Sequence, residues 1–188
     1  MRRVLEISAV TILFLIFGNF VLNLFFADFT YRSSQSLLTN QEYSKSQEYS
    51  EKAISLNPNE PRYFYGKAKV LLVQLPLSSK QEILDLLISA GELNPDNLVT
   101  LRNIVPYYYF LAVEDLQEPE RQDNIDTEFL PTTIEYLEYL SNRYSWDLGV
   151  QVLVAKYQKK LGLTELYENK IEKIRQLRPD LLEWEPNL

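Results

Sequence analysis

The sequence predicts an all-α fold: one N-terminal transmembrane helix followed by an α-solenoid of three to four helix–turn–helix repeats. Three observations predict it. Residues 7–27 form an apolar run without a charge. Gly numbers only 5 in 188 residues, while Leu, Tyr and Lys are plentiful, a balance that suits helices better than a turn-rich β fold. One short phrase also returns along the chain. Ala53-Ile54-Ser55-Leu56-Asn57-Pro58 reappears as Ala90-Gly91-Glu92-Leu93-Asn94-Pro95, and in altered form as Ile174-Arg175-Gln176-Leu177-Arg178-Pro179. Each copy reads as a last helical turn and a stop, because proline lacks the N–H that the next bond needs and pushes the residue before it out of the α region. Helices that end alike at intervals mark a helical repeat.

The apolar run, Ile7 to Ala27, holds 21 residues. At about 1.5 Å per residue it spans roughly 30 Å, the thickness of a hydrocarbon core. Ser8, Thr11, Asn19 and Asn23 are its polar side chains. A cleaved signal peptide would carry a shorter apolar region, about 7–15 residues, and a small-x-small cleavage site. Here Phe25 stands where a small residue would precede Ala27, which favours an uncleaved anchor over residues 1–29. Arg2 and Arg3 before the run and Asp28 after it place the N-terminus in the cytoplasm and the remainder, 30–188, on the extracytoplasmic side. Asn19 and Asn23, four apart, share a helix face able to make interhelical hydrogen bonds. Neither Pro nor Gly interrupts Ala27 to Asn40, so the spanning helix is expected to continue into the first soluble helix.

From Pro58, the positions 5, 8, 12 and 15 back are Ala53, Ser50, Ser46 and Tyr43. From Pro95 they are Ala90, Leu87, Ile83 and Lys80, and from Pro179 they are Ile174, Ile171, Tyr167 and Thr164. These are single faces of helices. Small residues at Ala53, Ala68, Ala90 and Ala155 allow two helices to approach closely. Repeats therefore fall at about 27–60, 61–97, 98–147 and 148–181. The second has a lengthened turn at Leu75-Pro76-Leu77-Ser78-Ser79. The third departs most. Pro106 should kink or break its first helix. An acidic insertion occupies 114–128, a second helix is expected over Thr132 to Arg143, and Tyr144-Ser145-Trp146 replaces the proline turn.

The stretch from Glu42 to Pro58, with the later copies of its ending, resembles the tetratricopeptide repeat, a 34-residue helix–turn–helix unit. Ser33 and Ser34 stand where that family prefers Leu-Gly. In the family, the first helices of successive repeats line a concave groove that holds a peptide. The resemblance implies groove-facing positions at Tyr31, Gln35, Tyr65, Lys69, Arg102, Tyr109, Lys156 and Lys159. Lys69, Arg102 and Asn103 come near the family's carboxylate clamp. These cations suit a peptide with a carboxylate or acidic side chains. The layout, an Arg-Arg start, a spanning helix and then repeats, also resembles the C-terminal end of O-antigen-ligase-like polytopic membrane proteins of bacterial polysaccharide assembly. On that alternative the catalytic residues lie elsewhere, and an upstream reading frame encoding many spanning helices would distinguish it.

Composition narrows the chemistry. The absence of His and Cys removes Ser-His-Asp and Cys-His catalysis, Cys/His zinc sites, His-ligated haem and disulfides. A net charge of −7, all of it beyond residue 29, suits neither a nucleic-acid backbone nor an anionic bilayer surface. The insertion carries Glu114, Asp115, Glu118, Glu120, Asp123, Asp126 and Glu128, with Arg121 among them. Its spacing lacks the central Gly and terminal Glu of a calcium loop, so a solvated loop is the default reading, with hard-cation binding or an enzyme acting through Asp123, Asp126 and Glu128 as the alternatives. Tyr107 to Phe110 form an aromatic run of four consecutive residues, which point in every direction around a helix, so at least one ring is expected at the surface. The expected function is a non-catalytic bacterial scaffold without a cofactor or metal, tethered to the cell membrane and holding a protein or peptide.

Overall fold

A computed structural model describes residues 2–75, 79–119 and 124–180, the side chains of residues 2–6, 8 and 9 excepted. The side chains of Arg2 and Arg3, the turn residues 76–78, and Glu120, Arg121 and Asp123 of the insertion lie outside the described residues. Among those described there are eight helices and no strand: α1 Arg2–Thr39, α2 Tyr43–Leu56, α3 Pro61–Val73, α4 Lys80–Leu93, α5 Leu98–Leu111, α6 Leu130–Arg143, α7 Leu148–Lys160 and α8 Thr164–Leu177. They form two compact units, Met1–Asn94 with α1 to α4 and Pro95–Leu188 with α5 to α8. The boundary falls inside the second Leu-Asn-Pro phrase.

The three phrases do end helices, and in the same way. Asn57, Asn94 and Arg178 cap α2, α4 and α8 with φ of −146°, −147° and −152°, the extended backbone that a following proline imposes. Each turns its N–H back onto the last helical turn, at the carbonyls of Ala53, Gly91 and Ile174. Tyr144, with no proline after it, ends α6 at φ −115°. Helix starts are fixed by side chains. Glu60, Ser79, Asn97 and Asp147 accept from the exposed N–H groups of the first turns of α3, α4, α5 and α7.

Helix α1 is 38 residues long, about 57 Å at the usual rise. No break separates its apolar half from its repeat half, as the sequence suggested. Its two halves differ in surroundings. From Val10 to Phe26 the large apolar side chains stay exposed, Phe14 at 73% and Phe25 at 65%. A core helix would bury them. This helix alone, among those described, is long and apolar enough to cross a membrane. From Ala27 onward a stripe is buried: Ala27, Thr30, Ser34 and Leu38.

Unit 1 packs α1 on α2, α2 on α3, α3 on α4, and α1 on α3. Unit 2 repeats that order with α5 to α8. The small residues named above close these contacts, since Ala53, Ala68, Ala90 and Ala155 are all fully buried. Ser34 and Ser46 do the same with hydroxyls. Ser34 Oγ donates to the Ser46 carbonyl at 2.8 Å and Ser46 Oγ to the Ser34 carbonyl at 2.9 Å, so α1 and α2 meet at hydrogen-bonding distance.

Two expectations need correction. Pro106 does not break α5, which runs from Leu98 to Leu111 around it. Near the backbone bond that proline removes, the Tyr136 hydroxyl donates to the Leu101 carbonyl at 2.7 Å, and Tyr136 stacks on Tyr108 at 4.0 Å and 7°. That contact holds α5 against α6 where its own ladder is weakest. The acidic insertion is also more than a solvated loop. Leu116 and Ile125 pack against the unit 2 core, and Asn124 is fully buried. The α6 helix begins at Leu130, two residues before the expected Thr132.

Candidate functional site

In unit 1 the positions expected to face a groove lie on α1 and α3, which pack together. Tyr31 is half-buried, 5.1 Å from the Tyr63 ring. Gly66 explains its depth: a Cβ there would stand 2.5 Å from Tyr31 Cε2. Burial, and then the neighbouring Tyr65, raise the Tyr31 hydroxyl above its ordinary pKa. One turn on, Gln35 is half-buried with its Nε2 enclosed and without a hydrogen-bond partner. Tyr65 is half-buried and Lys69 is exposed on α3.

At the base of this face Asp28 joins α1 to α3. It accepts from Arg32 at 3.1 Å, from Arg62 at 3.3 Å and from the Tyr63 hydroxyl at 3.3 Å. Burial and the Asp28 carboxylate push Tyr63 up to about 12. Sequence reasoning treated Asp28 only as a charge flanking the apolar run and gave Gly66 no role. The one available signal for Gly66 was its position inside a helix, where glycine costs about 1 kcal/mol and generally needs a packing reason.

In unit 2 the expected positions likewise lie on two packed helices, α5 and α7. Arg102 and Asn103 are exposed on α5, and Lys156 and Lys159 are exposed on α7. The Arg102 guanidinium lies over Gly149, 3.5 Å from where a Cβ would be, so the glycine leaves room for it beside α7. Lys159 sits 5.6 Å from the Tyr167 ring.

Tyr109 is a correction. It is only 3% exposed, its hydroxyl donates to the Pro119 carbonyl at 2.8 Å, and its ring meets Tyr157 at 5.3 Å. Its neighbours in the aromatic run are buried (Tyr108) or half-buried (Tyr107 and Phe110), so no ring of the four stands fully at the surface. The insertion and α7 close over the side of α5 that periodicity alone left open. Lys160 caps the Tyr109 ring from 5.6 Å.

The insertion folds around Asn124. Its amide oxygen accepts from the Asp115 N–H at 2.6 Å, and its Nδ2 donates to the carbonyls of Asp115 and Glu118 at 2.7 and 2.8 Å. Asp115 and Asp126 spend carboxylate oxygens on backbone N–H groups of Gln117, Glu128 and Phe129. Among the described residues no three acidic side chains gather as metal ligands.

The helix order within each unit, first helix on second, second on the next first, and first on first, is that of tandem helix–turn–helix repeats. No family model matches the chain, and no curated protein does. One solved structure similar to it is that of YrrB, described as a tetratricopeptide protein with an unusual peptide-binding site. The two are 14% identical, over 80% of this chain and 68% of that one, with a TM-score of 0.46. At that identity and score the likeness assigns no family, and the hairpin pattern stands on the chain's own packing.

Proposed function

We propose that this chain is a membrane-tethered scaffold that holds a protein or peptide partner on the extracytoplasmic side and makes or breaks no bond. The observation that carries the reading is α1 itself. Its first half is apolar and uncovered, its second half is a buried element of the first hairpin, and no hinge lies between them. A helix built this way sets a repeat domain directly on a bilayer.

Two helix faces supply the binding surfaces, each within its own unit. In unit 1 the exposed Lys69 ammonium and the half-buried Tyr31, Gln35 and Tyr65 favour a peptide carbonyl or carboxylate. In unit 2 Arg102, Asn103, Lys156 and Lys159 offer exposed cations and an amide in an acidic chain, which favours an acidic segment.

Two measurements test the reading. In carbonate-washed membranes from expressing bacteria the chain should stay in the pellet, with its repeat part digested only from the extracytoplasmic side. Protection of that part would reverse the orientation, and release by carbonate would remove the anchor. With the full chain in detergent, Lys69→Glu should weaken binding of acidic peptides drawn from a library, and Gln35→Leu should weaken it too. Peptide binding that ignores both substitutions would sink the unit 1 face as the site.

A further inference from the structure

The buried stripe of α1 does not stop where the repeat domain begins. Counting back from Ala27, Ser34 and Leu38 by helical turns leads to Asn23 and then Asn19, on the same face. Above Ala27 that face is covered by α2, through Ala53 and the paired Ser34 and Ser46. Below Ala27 the cover tapers off: Asn23 is half-buried and Asn19 exposed. Thr11, the other described polar side chain among the exposed apolar ones, satisfies itself by donating to the Ile7 carbonyl at 2.9 Å. Neither amide has a hydrogen-bond partner among the described residues. Asn19 lies nine residues before Asp28, about 13 Å into the apolar half, where water cannot serve it and an unpaired amide is costly.

We propose that this face receives a membrane-spanning helix of another protein, one that bears an amide or hydroxyl at mid-span and ends at the bilayer surface beneath α2. The inference rests on the membrane reading of α1 given above. A second copy of this chain does not fit. Its own α1 would have to continue, as a rigid helix, into the space along Ala27 to Leu38 that α2 already fills. The occupant must therefore stop where α2 begins, and Asn19 and Asn23 must be what it meets.

The chain has no cysteine, so single labels can be placed at will. The full chain, labelled at Lys52→Cys, is reconstituted in phosphatidylethanolamine–phosphatidylglycerol vesicles. The probe is a labelled synthetic peptide of residues 1–28, a spanning helix with the same amides that ends below α2. Energy transfer should saturate at one peptide per chain, and Asn19→Leu in the chain should weaken it about threefold to twentyfold, the range of single interhelical hydrogen bonds. Differently labelled full-length copies should show transfer no greater than random mixing. The proposal is overturned if full-length copies associate as well as the peptide does, if the peptide fails to bind, or if Asn19→Leu leaves its binding unchanged. A chain that does not float with the vesicles refutes the anchor instead, so the two failures are told apart.

Discussion

Unit 1 and unit 2 share a helix order but differ in the side chains that bring their first two helices together. In unit 1 small side chains let backbones touch: Ser34 against Ser46, Ala27 near Ala53, and Gly66 beneath Tyr31. In unit 2 tyrosines and buried amides hold helices together: Tyr136 on Tyr108, Tyr109 against Tyr157, and Gln151 donating to the Ser141 and Tyr144 carbonyls at 3.1 and 3.0 Å. The difference teaches that helix terminators set the repeat register, while the spacing between helices is set by whatever side chains stand at the contacts. A regular repeat can afford small residues. A repeat with a proline in one helix and a long insertion needs large ones with hydroxyls to reach displaced backbone.

The contrast can be broken in several places. Tyr136→Ala should cost unit 2 about 4 kcal/mol, the usual range for removing a large buried ring. Hydrogen exchange should quicken across α5 and α6 and stay unchanged across α1 and α2. Equal quickening in both units would mean that the contrast has no energetic content. Tyr136→Phe, which keeps the stack and loses the bond to Leu101, should cost only about 1 kcal/mol. In unit 1 Ser46→Leu should cost about 2–3 kcal/mol by overpacking the α1–α2 contact. The double replacement of Ser34 and Ser46 by Ala should be nearly neutral, because both sites stay small and the two backbone carbonyls that lose a hydroxyl keep their helical N–H donors. A large loss from the Ala pair would show that the hydroxyl bonds outweigh size. Asn124→Ala, which strands one N–H and two carbonyls, should cost about 2 kcal/mol and loosen residues 112–129 first.

Alkali should separate the units by slope. Tyr108 and Tyr136 in unit 2 are raised well above the ordinary phenol value, chiefly by burial, and Tyr63 in unit 1 less so, to about 12. A raised group contributes its full stabilisation below its unfolded pKa, about 10, and loses it as pH climbs toward the folded value. Unit 2 should therefore weaken more steeply above pH 10, and Tyr108→Phe should flatten that limb.

A small electrostatic effect belongs to Lys67. It reaches Glu51 on α2 at 3.2 Å and Glu82 on α4 at 3.0 Å. Both carboxylates are about half exposed, so Lys67→Met should cost at most about 1 kcal/mol at pH 7. Burial opposes ionisation of Glu51, yet its bonds to Gln47 and Lys67 prevail and lower its pKa. A lowered carboxylate stabilises above its unfolded value, about 4.3, and loses that as pH falls through the folded one. Thermal melts below pH 4.5 should thus lose part of their pH dependence in Lys67→Met.

The helix ends and the continuity of α1 were legible because each depends on adjacent residues: a proline after Asn57, no breaker between Ala27 and Asn40. The buried faces of α2 and α4 were legible through period, with Ser46, Ser50 and Ala53, and Ile83, Leu87 and Ala90, all inside. What escaped depends on residues brought from far away. Tyr109 looked available because nothing nearby in sequence covers it; Pro119 and Tyr157 do so in space. Asn124 stood anonymous in an acidic run, and its role is visible only once Asp115 and Glu118 bend around it. Pro106 suggested a break because the Tyr136 hydroxyl that steadies Leu101 lies 35 positions downstream.

The hingeless α1 also has a mechanical side. Where such a helix crosses a bilayer, its tilt answers to hydrocarbon thickness, since an apolar stretch longer than the local core leans to fit. With α2 seated along Ala27 to Leu38 and Asp28 gripping Arg62 and Tyr63, unit 1 cannot stay upright while its stem leans. A thinner membrane thus turns the Tyr31–Lys69 face toward the lipid on one side or away from it on the other. In a chain anchored this way, the angle at which the repeats are presented becomes, in part, a property of the bilayer beneath them.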